Sequence, residues 1–216
     1  MKLYVNKELV MPLGKQVSQM AHAYCAFVLG CYDFDKYQFK CSIDYINQLL
    51  INSEICFIDY LGMQNADIKI IDQAHTVFNK PTFTTAIKLT YEELNFSKYC
   101  SNPHQISEET DVRMILIVNK AYRKKQNKLD FLKESSMYYA HGLINILKEF
   151  NVHNQYYDII LRWVTGSFAK ITLNSDDLMN SYNDIDCIQQ NKEGYVLLGP
   201  LLKIQQTELI NKLRLL

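Results

Sequence analysis

The chain has 216 residues, of which 48% are apolar and 21% are charged, a composition typical of a folded globular protein. This length suits two compact units of about 100 residues each. Basic and acidic residues number 23 each, so the net charge is zero, and any binding of nucleic acid must come from a local basic patch.

Several classes of protein are disfavoured by composition. No stretch approaches the roughly 20 apolar residues of a membrane span, and we expect no secretory leader, because the chain opens directly on a strand-like run. The six cysteines include no Cys-x-x-Cys pair and no zinc-site spacing with histidine. Cys25 and Cys56 lie in apolar runs typical of buried thiols. We therefore expect a reduced, cytoplasmic protein with no metal and no cofactor.

The first predicted elements are a strand over Leu3–Asn6 and a long helix that starts near Lys15, with Gly14 at the turn between them. One side of this helix carries apolar residues at the spacing of a face packed on a sheet: Val17, Met20, Ala21, Tyr24 and Val28.

The opposite side of the helix carries a polar stripe, formed by Lys15, Gln19 and His22. A lysine in the first turn, beside N–H groups that have no partner within the helix, makes a helix end suited to an anion such as phosphate. A solvated face with one unfavourably placed lysine is the alternative interpretation.

Further elements follow in the N-terminal half. Ser42 is predicted to cap a helical segment that runs to Tyr60–Leu61 and stops at Gly62. The other predicted elements are a short strand over 37–41, a strand over 67–71, a turn at 79–81, a strand over 82–89, a closing helix from Thr90 to Leu94 and a linker over 101–111. This order indicates an α/β unit with a small mixed sheet.

The opening of the chain resembles the type II peptidyl-tRNA hydrolases. That family has a strand, then D-L-x-M-x-x-G-K, then Q-x-A-H-A along its first helix. Here the same spacing places Met11 before Gly14 and Lys15, and Gln19 before Ala21-His22-Ala23. Glu8 stands where the family has aspartate.

The resemblance continues after the predicted strand at 67–71. Ile70-Ile71-Asp72 precedes Thr76, and Pro81-Thr82 precedes a β-prone run, as in the family's I-x-D-A-G-R-T-Q-I and P-G-T-x-T segments. The resemblance implies an active site formed by Lys15, Asp72, Thr76 and Thr82. There are also departures from the family pattern: Ala74 for glycine, His75 for arginine, Val77 for glutamine, and Lys88-Leu89 for Gly-Pro.

The chain also contains an internal repeat. Met1-Lys-Leu-Tyr-Val-Asn-Lys7 is echoed by Met114-Ile-Leu-Ile-Val-Asn-Lys120, and Ala21-His22-Ala23 by Ala140-His141-Gly142. Lys7 to His22 is 15 positions and Lys120 to His141 is 21, so the second copy has six extra residues. Later segments of the second copy, around Trp163, Lys170 and Gly199-Pro200, also resemble the family.

The second copy lacks the residues of the implied chemistry. Where the first copy has Gly14 and Lys15, the second has a basic run, Arg123, Lys124, Lys125 and Lys128, and its counterpart of 72–76, over 184–190, has no threonine. Because the family commonly forms homodimers, we expect two tandem α/β units, each a four-stranded mixed sheet flanked by helices, packed as a pseudo-dimer. In this arrangement, 1–100 carries the site and 112–216 is a scaffold. Two independent domains are the alternative.

Two functions follow as hypotheses. In the first, the protein is an esterase that cleaves a peptide or N-blocked aminoacyl group from tRNA through Lys15, Asp72, Thr76 and Thr82. In the second, it is a non-catalytic descendant that binds tRNA or a protein partner. Either function would use a set of predicted RNA contacts: Gln19, His22, His75, Arg123, Lys124, Lys125 and Lys128. For His22 the alternative is a helix histidine bonded to a carbonyl group. For the basic run at 123–128 the alternative is a solvated loop.

Overall fold

The structure is a computed structural model that describes residues 1–72, 78, 82–94, 104–105, 112–165, 169–176, 178, 182 and 187–216. Within these ranges, no helix has the length and apolar character needed to cross a bilayer. We refer to residues 1–105 as the N-terminal half and to 112–216 as the C-terminal half.

The N-terminal half alternates strands and helices. Its elements are β1 (Lys2–Asn6), α1 (Leu13–Gly30), β2 (Tyr32–Asp33), β3 (Gln38–Phe39), α2 (Ile43–Ile51), β4 (Glu54–Ile58), α3 (Tyr60–Met63), β5 (Ile68–Asp72), β6 (Thr82–Lys88), α4 (Tyr91–Leu94) and β7 (His104–Gln105).

The C-terminal half follows a similar order. Its elements are β8 (Val112–Asn119), α5 (Lys120–Lys125), α6 (Lys128–Lys148), α7 (Tyr157–Thr165), β9 (Ala169–Ser175), β10 (Gln189–Lys192), β11 (Tyr195–Leu202), α8 (Lys203–Lys212) and β12 (Arg214–Leu215).

The two sheets have the same four-strand core. In the first, β1 pairs with β4 in parallel and with β6 antiparallel, and β6 pairs antiparallel with β5. In the second, β8 pairs with β9 in parallel and with β11 antiparallel, and β11 pairs antiparallel with β10. Each sheet gains one two-residue edge strand, β7 beside β5 and β12 beside β9. The predicted fold class, two tandem α/β units with four-stranded mixed sheets flanked by helices, is confirmed.

Helix α1 lies between the sheets. It contacts β5 and β6 of its own half, and α6 and β9 of the other. The five apolar residues of its predicted face are completely buried, and each large side chain among them contributes about 1.5–3 kcal/mol of stability by leaving water. One apolar core includes residues of both halves, among them Leu3 and Ile70 from the first sheet and Met114 and Leu116 from the second.

Polar contacts fix helix ends and join the halves. The Ser42 hydroxyl accepts the Tyr45 N–H at 3.2 Å, so the predicted cap of α2 is present. The Lys133 ammonium on α6 donates to the carbonyl oxygens of Ile51 and Ser53, at 2.8 and 2.7 Å. These two bonds tie α6 to the turn that precedes β4.

Three predicted element boundaries were wrong. The helix expected to reach Tyr60–Leu61 ends at Ile51, and the next residues form strand β4 and the short helix α3. The strand expected over 37–41 is reduced to β3, which pairs with β2 in a small separate hairpin. Part of the predicted linker is also a strand, because His104 and Gln105 pair in parallel with β5.

Candidate functional site

The candidate site lies at the edge of the first sheet that is formed by strand ends, where β1 and β5 end and β6 begins. Strand β1 ends there at Asn6, and α1 begins after a short connection and runs back across the sheet. Strand β5 ends at the same edge and β6 starts there, because Val5 of β1 pairs with Thr85 of β6 and the Asn6 side-chain amide donates to the Phe83 carbonyl at 3.0 Å. Gln19, one turn after Lys15 on α1, contacts the beginning of β6 through Thr84 and Thr85.

Two of the four predicted catalytic residues are cross-strand neighbours. Asp72 and Thr82 are directly paired in the β5–β6 ladder, which places their Cβ atoms about 5 Å apart on one face. Asp72 is completely buried, and its Oδ2 accepts the Phe78 N–H at 3.3 Å. Thr82 is partly exposed. Asp72 is thus placed to hold the β5–β6 connection.

A β-bulge follows Thr82. Ile71 pairs with Phe83, but Ile70 pairs with Thr85, so Thr84 is the extra residue on β6. The Thr84 hydroxyl donates to the Gln19 side-chain oxygen at 2.7 Å, and the Thr85 hydroxyl donates to the Gln19 main-chain oxygen at 2.9 Å. The bulge turns two successive hydroxyl groups toward α1 and fixes that helix on the sheet.

Lys15 is exposed in the first turn of α1, as a residue that contacts an anion must be. The neighbouring Gly14 N–H, however, donates to the Leu216 carbonyl oxygen at 3.2 Å, and Leu216 is held in turn by its own N–H on the Thr172 carbonyl at 3.2 Å. A Cβ at position 14 would lie 2.6 Å from that Leu216 oxygen. Glycine is therefore required here for the approach of the C-terminal half, and one N–H of the expected anion site is already bonded.

Gln19 and His22 are buried, each with 4% of its surface exposed. The Nδ1 of His22 lies 3.4 Å from the Lys170 ammonium on β9, and that ammonium stands 5.2 Å from the centre of the Trp163 ring. Burial lowers the pKa of Lys170 to about 7 and raises the pKa of the nearby Cys25 thiol to about 11. Neither predicted RNA contact reaches solvent: Gln19 is held against β6 by Thr84 and Thr85, and His22 faces Lys170 of the C-terminal half.

Counted back from the two histidines, the residue of the C-terminal half that is equivalent to Lys15 is Glu134, and not the basic run that the sequence analysis placed there. Glu134 precedes His141 by seven positions, as Lys15 precedes His22. Its carboxylate accepts the Lys192 ammonium at 2.7 Å and the Tyr195 hydroxyl at 3.4 Å, and it also accepts the Gln126 amide. These bonds engage the Glu134 carboxylate with groups of its own half. Counting back from the two histidines would have identified this exchange in the sequence.

The basic run forms α5 and the start of α6. Lys124, Lys125 and Lys128 are exposed, but the guanidinium of Arg123 lies 4.6 Å from the centre of the Phe131 ring. Arg123 therefore packs on the protein, and the exposed cations of the predicted clamp are the three lysines. Lys125 also lines an open cavity of about 590 Å³ beside Tyr122 and Lys192.

No family model, curated protein or solved structure matches this chain. The resemblance to the type II peptidyl-tRNA hydrolases accordingly depends on the motifs in the sequence.

Two predicted site residues, Thr76 and His75, lie outside the described residues. Within the described ranges, no group of three histidine, cysteine or acidic side chains is arranged to hold a metal ion. Thr84 and Thr85, the two threonines at the bulge, were not predicted as site residues. The only signal for them in the sequence is the threonine-rich run Thr82-Phe-Thr84-Thr85.

Proposed function

We propose that the N-terminal half hydrolyses the ester that joins a peptide, or an N-blocked aminoacyl group, to the 3′ end of tRNA. The observation that carries this proposal is the pairing of Asp72 with Thr82, and the exposure of Lys15 in the first turn of α1 supports it. The motif resemblance supports the same three residues.

The roles follow from exposure. The Lys15 cation would neutralise a phosphate or the oxyanion that develops when water adds to the ester carbonyl. The Thr82 hydroxyl would hold that water or the terminal ribose. Asp72 is a positioning residue, because its buried carboxylate bonds to the Phe78 N–H. The oxygen of water bonds to the carbonyl carbon of the ester, and the bond from that carbon to the ribose oxygen breaks. One proton of water ends on the ribose hydroxyl, and the other is released when the new carboxylic acid ionises.

The C-terminal half would act as a scaffold in a pseudo-dimer. Three observations support this interpretation: the shared strand order, the packing of α1 against α6, and the place of Glu134 where the other half has Lys15. A carboxylate bonded to Lys192 and Tyr195 offers no cation to an RNA end.

Binding without catalysis is the second candidate function. It is favoured by the complete burial of Asp72 and by the Leu216 oxygen bonded to the Gly14 N–H. Both features reduce the access of a substrate to the groups that would act on it. The ligand would then be tRNA, or a protein partner, at the same sheet edge.

The experiment measures release of free tRNA from N-acetylaminoacyl-tRNA, together with the Kd for the uncharged tRNA. For an esterase, Lys15→Ala should lower kcat/KM by about 100-fold, the loss typical of one transition-state electrostatic partner. Asp72→Asn should lower kcat more than it raises KM, because it disturbs the β5–β6 connection. Lys36→Ala, at an exposed lysine in the β2–β3 hairpin, is the matched control and should leave the rate unchanged.

If the wild-type protein binds tRNA but produces no free tRNA from N-acetylaminoacyl-tRNA, the esterase proposal is rejected and the second candidate function is favoured. A rate that survives Lys15→Ala would remove Lys15 from the mechanism.

A further inference from the structure

Among the described residues, nothing pairs with the backbone groups on the outer side of β4. The Glu54 N–H donates to the Met1 carbonyl at 3.2 Å and the Ile58 carbonyl accepts the Lys7 N–H at 2.9 Å, so alternate residues of β4 face β1. In a parallel ladder the intervening residues, Ile55 and Phe57, then direct their N–H and C=O groups away from the sheet. Among the described residues no strand pairs with that side.

The C-terminal half covers the corresponding edge with a strand. Asn6 pairs with Ile58 and Asn119 pairs with Ser175, and these two asparagines are equivalent in the repeat. Ile58 of β4 therefore corresponds to Ser175 of β9. Counting back from these two residues, Phe57 corresponds to Asn174 and Cys56 to Leu173. The antiparallel strand β12 pairs with these same two residues of β9, Leu215 with Leu173 and Arg214 with Asn174. The edge of the second sheet that is equivalent to β4 therefore already pairs with an antiparallel strand.

Among the features that protect an edge, strand β4 has only the charge of Glu54. Its sequence, Glu54-Ile-Cys-Phe-Ile58, has no lysine or proline, and its register with β1 is continuous over all five residues. Phe57 is 45% exposed, and Ile51 at the end of α2 is 55% exposed. A regular, apolar edge of this kind is suited to pairing with another strand.

We propose that β4 is a dimerisation edge, at which two copies of this chain pair β4 antiparallel about a twofold axis through Cys56. In that register Ile55 of one copy faces Phe57 of the other, and both outward N–H and both outward C=O groups of each copy are bonded. Glu54 faces Ile58 rather than a second glutamate, so no like charges oppose each other. Self-pairing therefore satisfies the whole edge with no other partner.

The register also fixes the distance between the two Cys56 residues. Because the flanking pairs are hydrogen-bonded, the central pair is the close, non-bonded kind, with Cα atoms about 4.5 Å apart. This distance falls within the range of about 4.4–6.8 Å that a disulfide requires. Cys56 is partly exposed on the free protein.

The first test is the mass in solution. Sedimentation equilibrium over about a hundredfold range of concentration should show a species of twice the 25.3 kDa of one chain. Phe57→Pro removes an outward N–H but none of the bonds to β1, and should raise the dimer Kd by at least about tenfold. Phe57→Val, which keeps the N–H and a β-branched side chain, is the matched control and should remain dimeric.

The second test needs no altered backbone. Wild-type protein oxidised by diamide should form a dimer whose disulfide, mapped by mass spectrometry, joins Cys56 to Cys56. Cys56→Ser should abolish the cross-link and retain the dimer mass, whereas Cys41→Ser, at another partly exposed cysteine, should change neither. A monomer at every concentration, or a dimer that survives Phe57→Pro and cross-links through another cysteine, would overturn the proposal. These outcomes are independent of esterase activity.

Discussion

Lys170 is a buried cation in the contact between the halves. Its ammonium lies beside His22 and above the Trp163 ring, and burial lowers its pKa to about 7. In the unfolded chain a lysine titrates near 10.4. Between pH 7 and that value the unfolded chain binds more protons than the folded protein. The contribution of Lys170 to stability must therefore rise as the pH rises through this window.

We expect the free energy of unfolding to increase between pH 7 and 8.5, with a slope that approaches about 1.4 kcal/mol per pH unit. Lys170→Met should remove most of this slope, because methionine carries no charge into the core. Urea unfolding at several pH values measures the effect. The range ends at 8.5 because the raised pKa of Cys25 gives the opposite dependence at higher pH.

The matched control for Lys170 is Lys36→Met, at a side chain 68% exposed. It should keep the wild-type slope. If Lys170→Met keeps the same slope as well, the buried ammonium is not the group that titrates.

At the level of residues, the sequence predicted pairing better than exposure. The resemblance implied that Asp72 and Thr82 belong to one site, strand signals lay on both sides of the 73–81 segment, and the ladder pairs the two residues. Gln19 and His22 formed a polar stripe, which a solvated face would also produce. Gln19 is buried against Thr84 and Thr85 of β6, and His22 is buried beside Lys170, 148 positions away. No local pattern in the sequence reports such distant contacts.

At the level of elements, α5 presents the densest positive charge. Asn119 caps this helix by accepting the Tyr122 N–H at 3.0 Å, and Lys124 and Lys125 extend into solvent at its end. If tRNA crosses α5, each lysine that contacts a phosphate adds about 0.7–0.9 to the slope of log Kd against log salt.

The double variant Lys124→Gln, Lys125→Gln should therefore lower that slope by about 1.4–1.8 in a salt titration of tRNA affinity. The control Lys36→Gln, Lys148→Gln removes the same net charge from exposed positions elsewhere. Equal slopes for the two double variants would mean that α5 makes no specific phosphate contacts.

Strand β4 shows why some elements escaped prediction. Ile46, Leu50 and residues beyond them have helical spacing, so the pattern continued through Glu54–Ile58 without a break. Five residues are too few for periodicity to separate a buried helix turn from a strand, and the deciding factor is the parallel ladder with β1. By contrast, α1 has 18 residues and a five-residue apolar face, and it was predicted to within two residues at its start.

At the level of the whole molecule, the halves share one core. Helix α1 packs on its own sheet, on α6 and on β9, so a separated N-terminal half would expose the side of α1 that carries His22. The repeat in the sequence predicted two units of similar topology. It could not decide between one cooperative structure and two independent domains, because that depends on how much surface the units bury against each other.

The shared core predicts that the halves unfold together. Trp163, the only tryptophan, is buried in the C-terminal half with its indole N–H on the Ala169 carbonyl at 2.9 Å, so its fluorescence reports that half. Ile87→Ala in β6 should create a cavity that costs about 2–5 kcal/mol. If the two halves unfold as one unit, the urea midpoint seen by Trp163 should fall by the same free energy as the hydrogen-exchange protection of β1 and β6. Ile51→Ala, at an isoleucine 55% exposed, should move neither. An unchanged Trp163 midpoint, with protection lost only in the first sheet, would instead establish two domains that fold independently.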